Sequence, residues 1–212
     1  MGTSALAVRA AQARHSIESE LWAGGFPRPH LLGDNTVRTK PLKVTLELMN
    51  QMQADGVIET YAIGGAVGAT FYLAPAATVD VYVFVILPGR TGLLLSLSPI
   101  YQYLKSHGGK EQDEYIVLGG WPVQFLPCSN ELEREALRDA VSTKVEGVPT
   151  WVMPAEHLVA IALNTGRAKD HTRILHFIEQ HAVDRVKLDD VLKRHGLQTK
   201  WRNFEKRFLE RR

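Results

Sequence analysis

Two neighbouring stretches decide the fold of this chain: Tyr61-Ala-Ile-Gly-Gly-Ala-Val-Gly-Ala-Thr70 and Thr78-Val-Asp-Val-Tyr-Val-Phe-Val-Ile-Leu87. Together they predict a strand, a glycine turn, a short helix and a second strand. The second strand is almost continuously apolar, so we expect it to be buried on both faces. Asp80 lies inside this apolar run, where a carboxylate needs a partner or a metal ion. The pattern therefore predicts a phosphate-handling site built on a sheet.

The composition indicates a soluble globular protein. Of the 212 residues, 45% are hydrophobic and 23% are charged, and the net charge is only +2. No apolar run approaches the roughly 18 residues of a membrane span, and the N-terminal residues lack the apolar core of a signal peptide. Cys128 is the only cysteine, which excludes an internal disulfide and a cysteine-based zinc cluster. We therefore expect a protein of the reducing cytoplasm with no membrane partner.

Hydrophobic periodicity and turn residues divide the chain into a sheet-bearing part and a helical part. Strands are predicted over 57–63, 79–87, 115–118 and 121–127, with short extended structure over 144–153. Helices are predicted over 4–22, 41–55, 66–73, 154–164, 168–182, 187–195 and 199–210. Two more are predicted, one capped by Ser96 or Ser98 and ending near His107, and one capped by Ser129 or Asn130 and ending near Val141. The expected fold class is α/β (α+β), with a small mixed sheet and helices followed by a helical C-terminal part. The expected domains are a core with N-terminal helices over 1–153 and a helical part over 154–212.

Four features, in order along the chain, carry a resemblance to a known family. A glycine pair, Gly64-Gly65, follows a strand, and Thr78-Val-Asp80-Val-Tyr82 follows it. A later strand contains Gln124, and a helix starting near Pro154 is followed by Arg167-Ala-Lys-Asp170. The chain resembles the nucleotidyltransferase superfamily typified by DNA polymerase beta, and more closely the bacterial AbiEii-type toxin branch and its uncharacterised relatives. The resemblance covers roughly residues 57–182.

This resemblance implies transfer of a nucleoside monophosphate from an NTP to a hydroxyl of RNA, protein or a small molecule. In the family an Asp-x-Asp pair points both carboxylates to one face of a strand, where they hold divalent metal ions. The implied catalytic residues are Asp80, Lys169 and Asp170, with Asp80 as the ligand of Mg²⁺ or Mn²⁺. The implied nucleotide-binding residues are Gly64, Gly65, Thr78, Arg167 and Arg173. A toxin would also have a cognate antitoxin as its partner.

The sequence departs from the family pattern at the acidic positions. Tyr82 stands where the second aspartate is expected, and Gln124 stands where a third carboxylate often lies. Neither side chain is a good ligand for Mg²⁺. Glu114, Asp113 or Glu146 would have to supply an acid from nearby. Two interpretations follow: an enzyme with an incomplete Asp-x-Asp motif, or a catalytically degenerate nucleotidyltransferase fold that binds a nucleotide or a partner.

The C-terminal part adds a third interpretation. Basic residues outnumber acids from Arg167 onwards, and they are dense at the end of the chain, up to Arg211 and Arg212. Such a stretch forms either a solvated helical face or a nucleic-acid binding surface. Histidines also recur here, but a spacing of five residues does not place side chains on one helical face. We interpret His157, His171, His176 and His181 as surface or core residues, not as metal ligands.

Overall fold

The computed structural model describes residues 42–74, 80–89 and 96–210. The predicted helix over 4–22, the predicted nucleotide ligand Thr78, and Arg211 and Arg212 lie outside these ranges. The described strands are β1 Thr60–Gly64, β2 Val81–Ile86, β3 Lys110–Gln112, β4 Tyr115–Leu118, β5 Trp121–Pro127, β6 Val141–Val145 and β7 Val148–Val152. The described helices are α1 Leu42–Ala54, α2 Gly65–Ala69, α3 Ser98–Ser106, α4 Glu131–Arg138, α5 Ala155–Thr165, α6 Ala168–Glu179, α7 Arg185–Arg194 and α8 Gln198–Phe208.

The strands form one seven-stranded sheet in the order β3-β4-β5-β2-β1-β7-β6. Strands β1 and β7 are parallel, as are β2 and β5, while the other neighbours are antiparallel. The predicted class, a mixed sheet with helices, is therefore confirmed. The sheet is larger than the sequence indicated, because β3, β6 and β7 add three strands to the four that were predicted with defined ends.

Alternation along β2 divides its side chains between two hydrophobic clusters. Val81, Val83 and Val85 point to the face covered by α1 and α3. Phe84 lies on the opposite face, which is covered by α4 to α8, and Tyr82 packs against the same cluster. Since side chains alternate with period two, Asp80 belongs to the row of Tyr82 and Phe84. The candidate site therefore faces the C-terminal helices.

The C-terminal helices α5 to α8 begin and end within a few residues of their predicted positions. Helix α5 ends at Gly166, whose φ of 73° is the left-handed conformation that glycine adopts readily. Helix α7 is capped by Asp184, whose carboxylate accepts hydrogen bonds from the backbone N–H groups of Val186 and Lys187. In the described ranges the longest helix has 13 residues, and none is long and apolar enough to cross a membrane.

Candidate functional site

Three polar side chains form a row across the sheet at the candidate site. Tyr82 of β2 is paired with Gln124 of β5. These strands are antiparallel, so the pairing of Ile116 with Val123 places the preceding residue of β4, Tyr115, beside Gln124. Directly paired residues on neighbouring strands share a face, so the row faces the same side as Asp80. Tyr115 was not among the predicted site residues, and only the register of β4 and β5 brings it here.

Tyr82 is the centre of a hydrogen-bonded group. Its hydroxyl donates to Asp80, and the guanidinium of Arg167 lies nearby. It also shares a hydrogen bond with Tyr115. Burial, and then the hydrogen bond with Asp80, raise the pKa of Tyr82 to about 12. The side chain is therefore a neutral hydroxyl at neutral pH, and it connects the predicted metal ligand with a predicted nucleotide-binding residue.

The basic side of the site is organised by Asp170, whose side chain is 1% exposed. Its Oδ2 accepts from Nε of Arg167 at 2.7 Å, and its Oδ1 accepts from Nη1 of Arg173 at 3.2 Å. The hydrogen bond with Asp170 raises the pKa of Arg167, whereas burial lowers the pKa of Arg173. A carboxylate between two guanidiniums fixes their direction. Asp170 therefore holds both predicted nucleotide-binding arginines in place, while the catalytic role implied for it stays a prediction.

The predicted glycine pair lies against two aromatic rings. Gly65 has a φ of 63°, and a Cβ added there would lie 2.4 Å from Cδ2 of Tyr82. A Cβ added at Gly64 would lie 2.6 Å from Cε2 of Phe84. Both positions therefore need glycine because the rings of β2 lie against the turn. The space beside Gly65, which the sequence interpretation reserved for phosphates, holds the ring of Tyr82.

Of the three acids named as alternatives, Glu114 is the one in contact with the site. Its Oε2 accepts from Nε2 of Gln124 at 3.4 Å, and it also bonds the hydroxyl of Tyr115. Glu146 lies in the β6–β7 turn, at the end of the sheet away from Gly64, where it accepts from the backbone N–H of Lys43. The donor set thus contains the carboxylates of Asp80 and Glu114, with neutral Tyr82 and Gln124 between them. Such a set does not fit a pair of Mg²⁺ ions, which prefer carboxylate oxygens.

Lys169 is the described site residue that the structure keeps apart from this group. Its side chain is exposed on α6, and within the described residues it makes no hydrogen bond or ion pair. Its neighbours Arg167 and Asp170 bond to each other, and the guanidinium of Arg167 also lies beside the hydroxyl of Tyr82. The catalytic role of Lys169 stays a prediction. The residues that the structure does bring together are Asp80, Tyr82, Gly64, Gly65, Arg167, Asp170 and Arg173.

A second polar cluster lies among the helices and was not predicted. Glu135 accepts from Arg194 at 2.5 Å, from His195 at 2.8 Å and from His157 at 3.1 Å. The hydrogen bond with Arg194 is the main reason why the pKa of Glu135 falls from 4.5 to about 2. The ligand atoms of Glu135, Asp139 and His157 lie within 4.8 Å of one another. Because the Arg194 guanidinium already neutralises Glu135, we interpret the cluster as a structural link between α4, α5 and the end of α7, not as a metal site.

Comparison with known proteins identifies a fold. No protein-family model matches the chain, and no curated protein matches it significantly. A crystal structure of an antigenic nucleotidyltransferase-like protein from Paracoccidioides brasiliensis is similar, with a TM-score of 0.55 and 16% identity over 79% of this chain and 88% of that one. The solution structure of the antibiotic-resistance factor ANT(2'')-Ia matches with a TM-score of 0.45 and 13% identity over 79% of this chain and 97% of that one. At such low identity the first likeness shows the fold alone: this chain is folded like a nucleotidyltransferase-like protein.

Proposed function

We propose that this protein is a nucleotidyltransferase that binds an NTP beside Tyr82 and transfers its nucleoside monophosphate to a hydroxyl of RNA, protein or a small molecule. One observation carries the proposal. The guanidinium of Arg167 is fixed by a buried carboxylate at 2.7 Å and lies beside the hydroxyl of Tyr82, next to Asp80. A fixed guanidinium binds phosphate oxygens through two parallel N–H groups. This arrangement suits a triphosphate.

Each side chain has a distinct role in this proposal. Arg167 binds phosphate oxygens, the hydroxyl of Tyr82 holds Asp80 in position through its hydrogen bond, and Arg173 adds positive charge from the buried side. Asp80 is the principal ligand of a single Mg²⁺ or Mn²⁺ ion, which would neutralise phosphate charge when bound. The residues at the site do not provide carboxylates for a second ion. Arg167 therefore supplies the positive charge on that side of the phosphates.

A second candidate function is favoured by Tyr82 itself. Its ring fills the space beside Gly65, and its hydroxyl donates a hydrogen bond to Asp80. With a pKa of about 12 it is neutral where the family pattern has an acid. A protein with this site would bind a nucleotide or a protein partner without transferring a nucleotide group. The two candidates share NTP binding and differ in turnover.

Two measurements on the same variants separate these candidates. Calorimetry with ATP, with and without Mg²⁺, tests binding by the wild type, Arg167→Gln and the distant surface variant Lys144→Gln. We expect Arg167→Gln to weaken binding about tenfold, since it removes a hydrogen bond to a charged group, and Lys144→Gln to leave it unchanged. Labelled NTPs with Mg²⁺ then test transfer to RNA or protein, which Asp80→Ala should abolish. Absence of binding for every NTP, under any metal ion, would exclude both candidates.

The cellular role completes the proposal. We propose that the protein acts in the cytoplasm as the toxin of a toxin–antitoxin pair. In that case expression of the wild type should arrest growth, Asp80→Ala should not, and co-expression of the cognate antitoxin should restore growth. Equal growth with the wild type and Asp80→Ala would contradict the toxin role. It would leave NTP binding, which is measured on the purified protein, unaffected. The division into a core over 1–153 and a helical part over 154–212 also remains a proposal.

A further inference from the structure

Helix α8 presents a basic surface whose charge the described part of the protein leaves uncompensated. It carries one acid, Glu205, and four basic residues, Lys200, Arg202, Lys206 and Arg207. Arg185 of α7 already binds that acid, with Nη2 2.8 Å from Oε1. All four basic side chains are exposed, and none has a carboxylate partner among the described residues. Such a surface attracts an anionic partner.

Two of these cations lie on the same face of α8. Lys200 and Arg207 are seven residues apart, which is close to two helical turns. The ammonium of Lys200 donates to Oδ1 of Asn164 at 2.8 Å and to its backbone oxygen at 3.2 Å. Both acceptors are neutral, so the positive charge of Lys200 remains. Asn164 lies in the last turn of α5, just before Arg167, so this basic face begins close to the start of α6.

Aromatic rings lie between the charges on this face. The ring of His171 is 5.0 Å from the ring of Phe208 and 5.8 Å from the ring of Phe204, centroid to centroid. Cζ of Arg207 lies 5.0 Å from the centroid of Phe208. His171 and Phe208 are partly exposed. Partly exposed rings next to basic side chains are the combination on which unpaired bases stack while their phosphates are neutralised.

The opposite flank of α8 has a different character. The cleft between α7 and α8 has a volume of about 580 Å³, and its lining contains three acids and three basic residues: Asp189, Asp190, Glu205, Arg185, Lys193 and Arg202. Both aspartates are exposed. Because the charges of this cleft balance, whereas Lys200 and Arg207 have no carboxylate partner among the described residues, a polyanion is favoured on the flank next to α6.

We infer that the face formed by Lys200, Arg207, His171 and Phe208 binds single-stranded nucleic acid. Lys200 and Arg207 contact phosphates, and the rings of Phe208 and His171 stack on bases. This surface goes beyond the proposed function and does not depend on NTP binding or transfer.

Fluorescence anisotropy on the full chain tests the inference with labelled oligouridylate and oligodeoxythymidylate. The test variant is Lys200→Glu/Arg207→Glu. Its control is Lys110→Glu/Lys144→Glu, which makes the same change in net charge at two exposed positions on the sheet edges. We expect the test variant to bind about tenfold more weakly than the control. Replacement by glutamine at both positions should reduce the slope of log affinity against log salt by about 1.4, since each phosphate contact on a single strand contributes about 0.7.

The contribution of base stacking is tested with a separate variant, Phe208→Leu, and a separate probe, heparin. Phe208→Leu keeps an apolar side chain but removes the ring, and we expect it to weaken binding about fivefold, at the lower end of base–aromatic stacking energies. Circular dichroism of each variant verifies that it is folded. Equal losses in the test and control double variants, or binding that does not depend on salt, would overturn the inference. Heparin, a polyanion without bases, bound as tightly as the oligonucleotides would overturn its stacking component.

Discussion

Arg173 and Asp170 form an ion pair inside α6, with Nη1 3.2 Å from Oδ1 and with only 15% and 1% of the side chains exposed. Removing the carboxylate leaves a buried guanidinium without its counter-charge. We expect Asp170→Ala to lower the free energy of unfolding by about 3 kcal/mol, the cost of breaking a buried pair. Urea denaturation measures it. The neighbouring exposed variant Lys169→Ala should change stability by less than about 0.5 kcal/mol, and equal effects of the two would contradict this prediction.

The turn between β1 and α2 gives a prediction with an internal control. Gly65 and Gly89 both have a φ of 63°, but only at Gly65 would a Cβ meet a neighbour, Tyr82, at 2.4 Å. Gly89→Ala should therefore cost about 1 kcal/mol from backbone strain alone. Gly65→Ala should cost about 1–3 kcal/mol more, because the ring must move. Thermal denaturation compares them, and Gly65→Ala/Tyr82→Ala should recover the steric part. Similar losses at the two glycines would show that the ring does not constrain the turn.

The hydroxyl of Tyr82 is predicted to contribute to nucleotide affinity. Tyr82→Phe removes the hydrogen bond to Asp80 and the hydroxyl beside Arg167 but keeps the ring beside Gly65. We expect ATP to bind about tenfold more weakly, equivalent to about 1.4 kcal/mol for a hydrogen bond near charged groups. The matched control is Tyr103→Phe, which removes a hydrogen bond of 2.5 Å to Asp55 on the other face of the sheet. Calorimetry measures both variants, and the control should bind like the wild type.

Tyr82→Asp distinguishes the two candidate functions through turnover. The substitution restores the second acid of the family pattern on the same face as Asp80. If the natural protein transfers nucleotides, as we propose, labelled product should already form with the wild type, and a second carboxylate should increase its dependence on Mg²⁺. Product that forms only with Tyr82→Asp would instead favour the degenerate binding protein. The Asp80→Ala variant serves as the negative control for the wild type and for Tyr82→Asp.

Acid should weaken the attachment of the last helices through Glu135. Its pKa is lowered from 4.5 to about 2, mainly by Arg194. The ion pair therefore contributes its full stability above pH 4.5, and this contribution is lost as the pH falls towards 2. The loss should be of the order of 1–2 kcal/mol, because Arg194 is partly exposed and its charge is screened. Denaturation of the wild type and Glu135→Gln across this range tests the prediction, and parallel curves for the two proteins would contradict it.

Local patterns were sufficient to predict much of the fold. The apolar run of β2, the periodicity of α5 to α8 and the cap of α4, where Asn130 accepts from the backbone N–H of Glu133, all depend on nearby residues. The predicted start of β1 at Val57 was three residues early, because Val57 donates to Met52 at the end of α1 instead of joining the sheet. Strand β3 was missed because its three residues are polar and exposed on both faces.

The site was predictable only in part, because several of its contacts join residues that are far apart in the sequence. Asp80, Gly65 and Arg167 were predicted from their residue types and from the order of the motifs along the chain. Tyr115 did not, because its position depends on the register between β4 and β5. The contact between Tyr82 and Gly65 was likewise hidden, since the sequence shows a missing acid but not where the larger ring lies. Glu135 and Arg194 are 59 residues apart and have no local pattern that connects them.

The sequence separation between Glu135 and Arg194 has a consequence during protein synthesis. A ribosome adds about 5–20 residues per second, so roughly 3–12 seconds pass between the addition of Glu135 and that of Arg194, 59 residues later. Until then Glu135 has neither Arg194 nor His195 as a partner, and the faces of α4 and α5 that α7 later covers remain open to other chains. During this interval a chaperone can reach those faces.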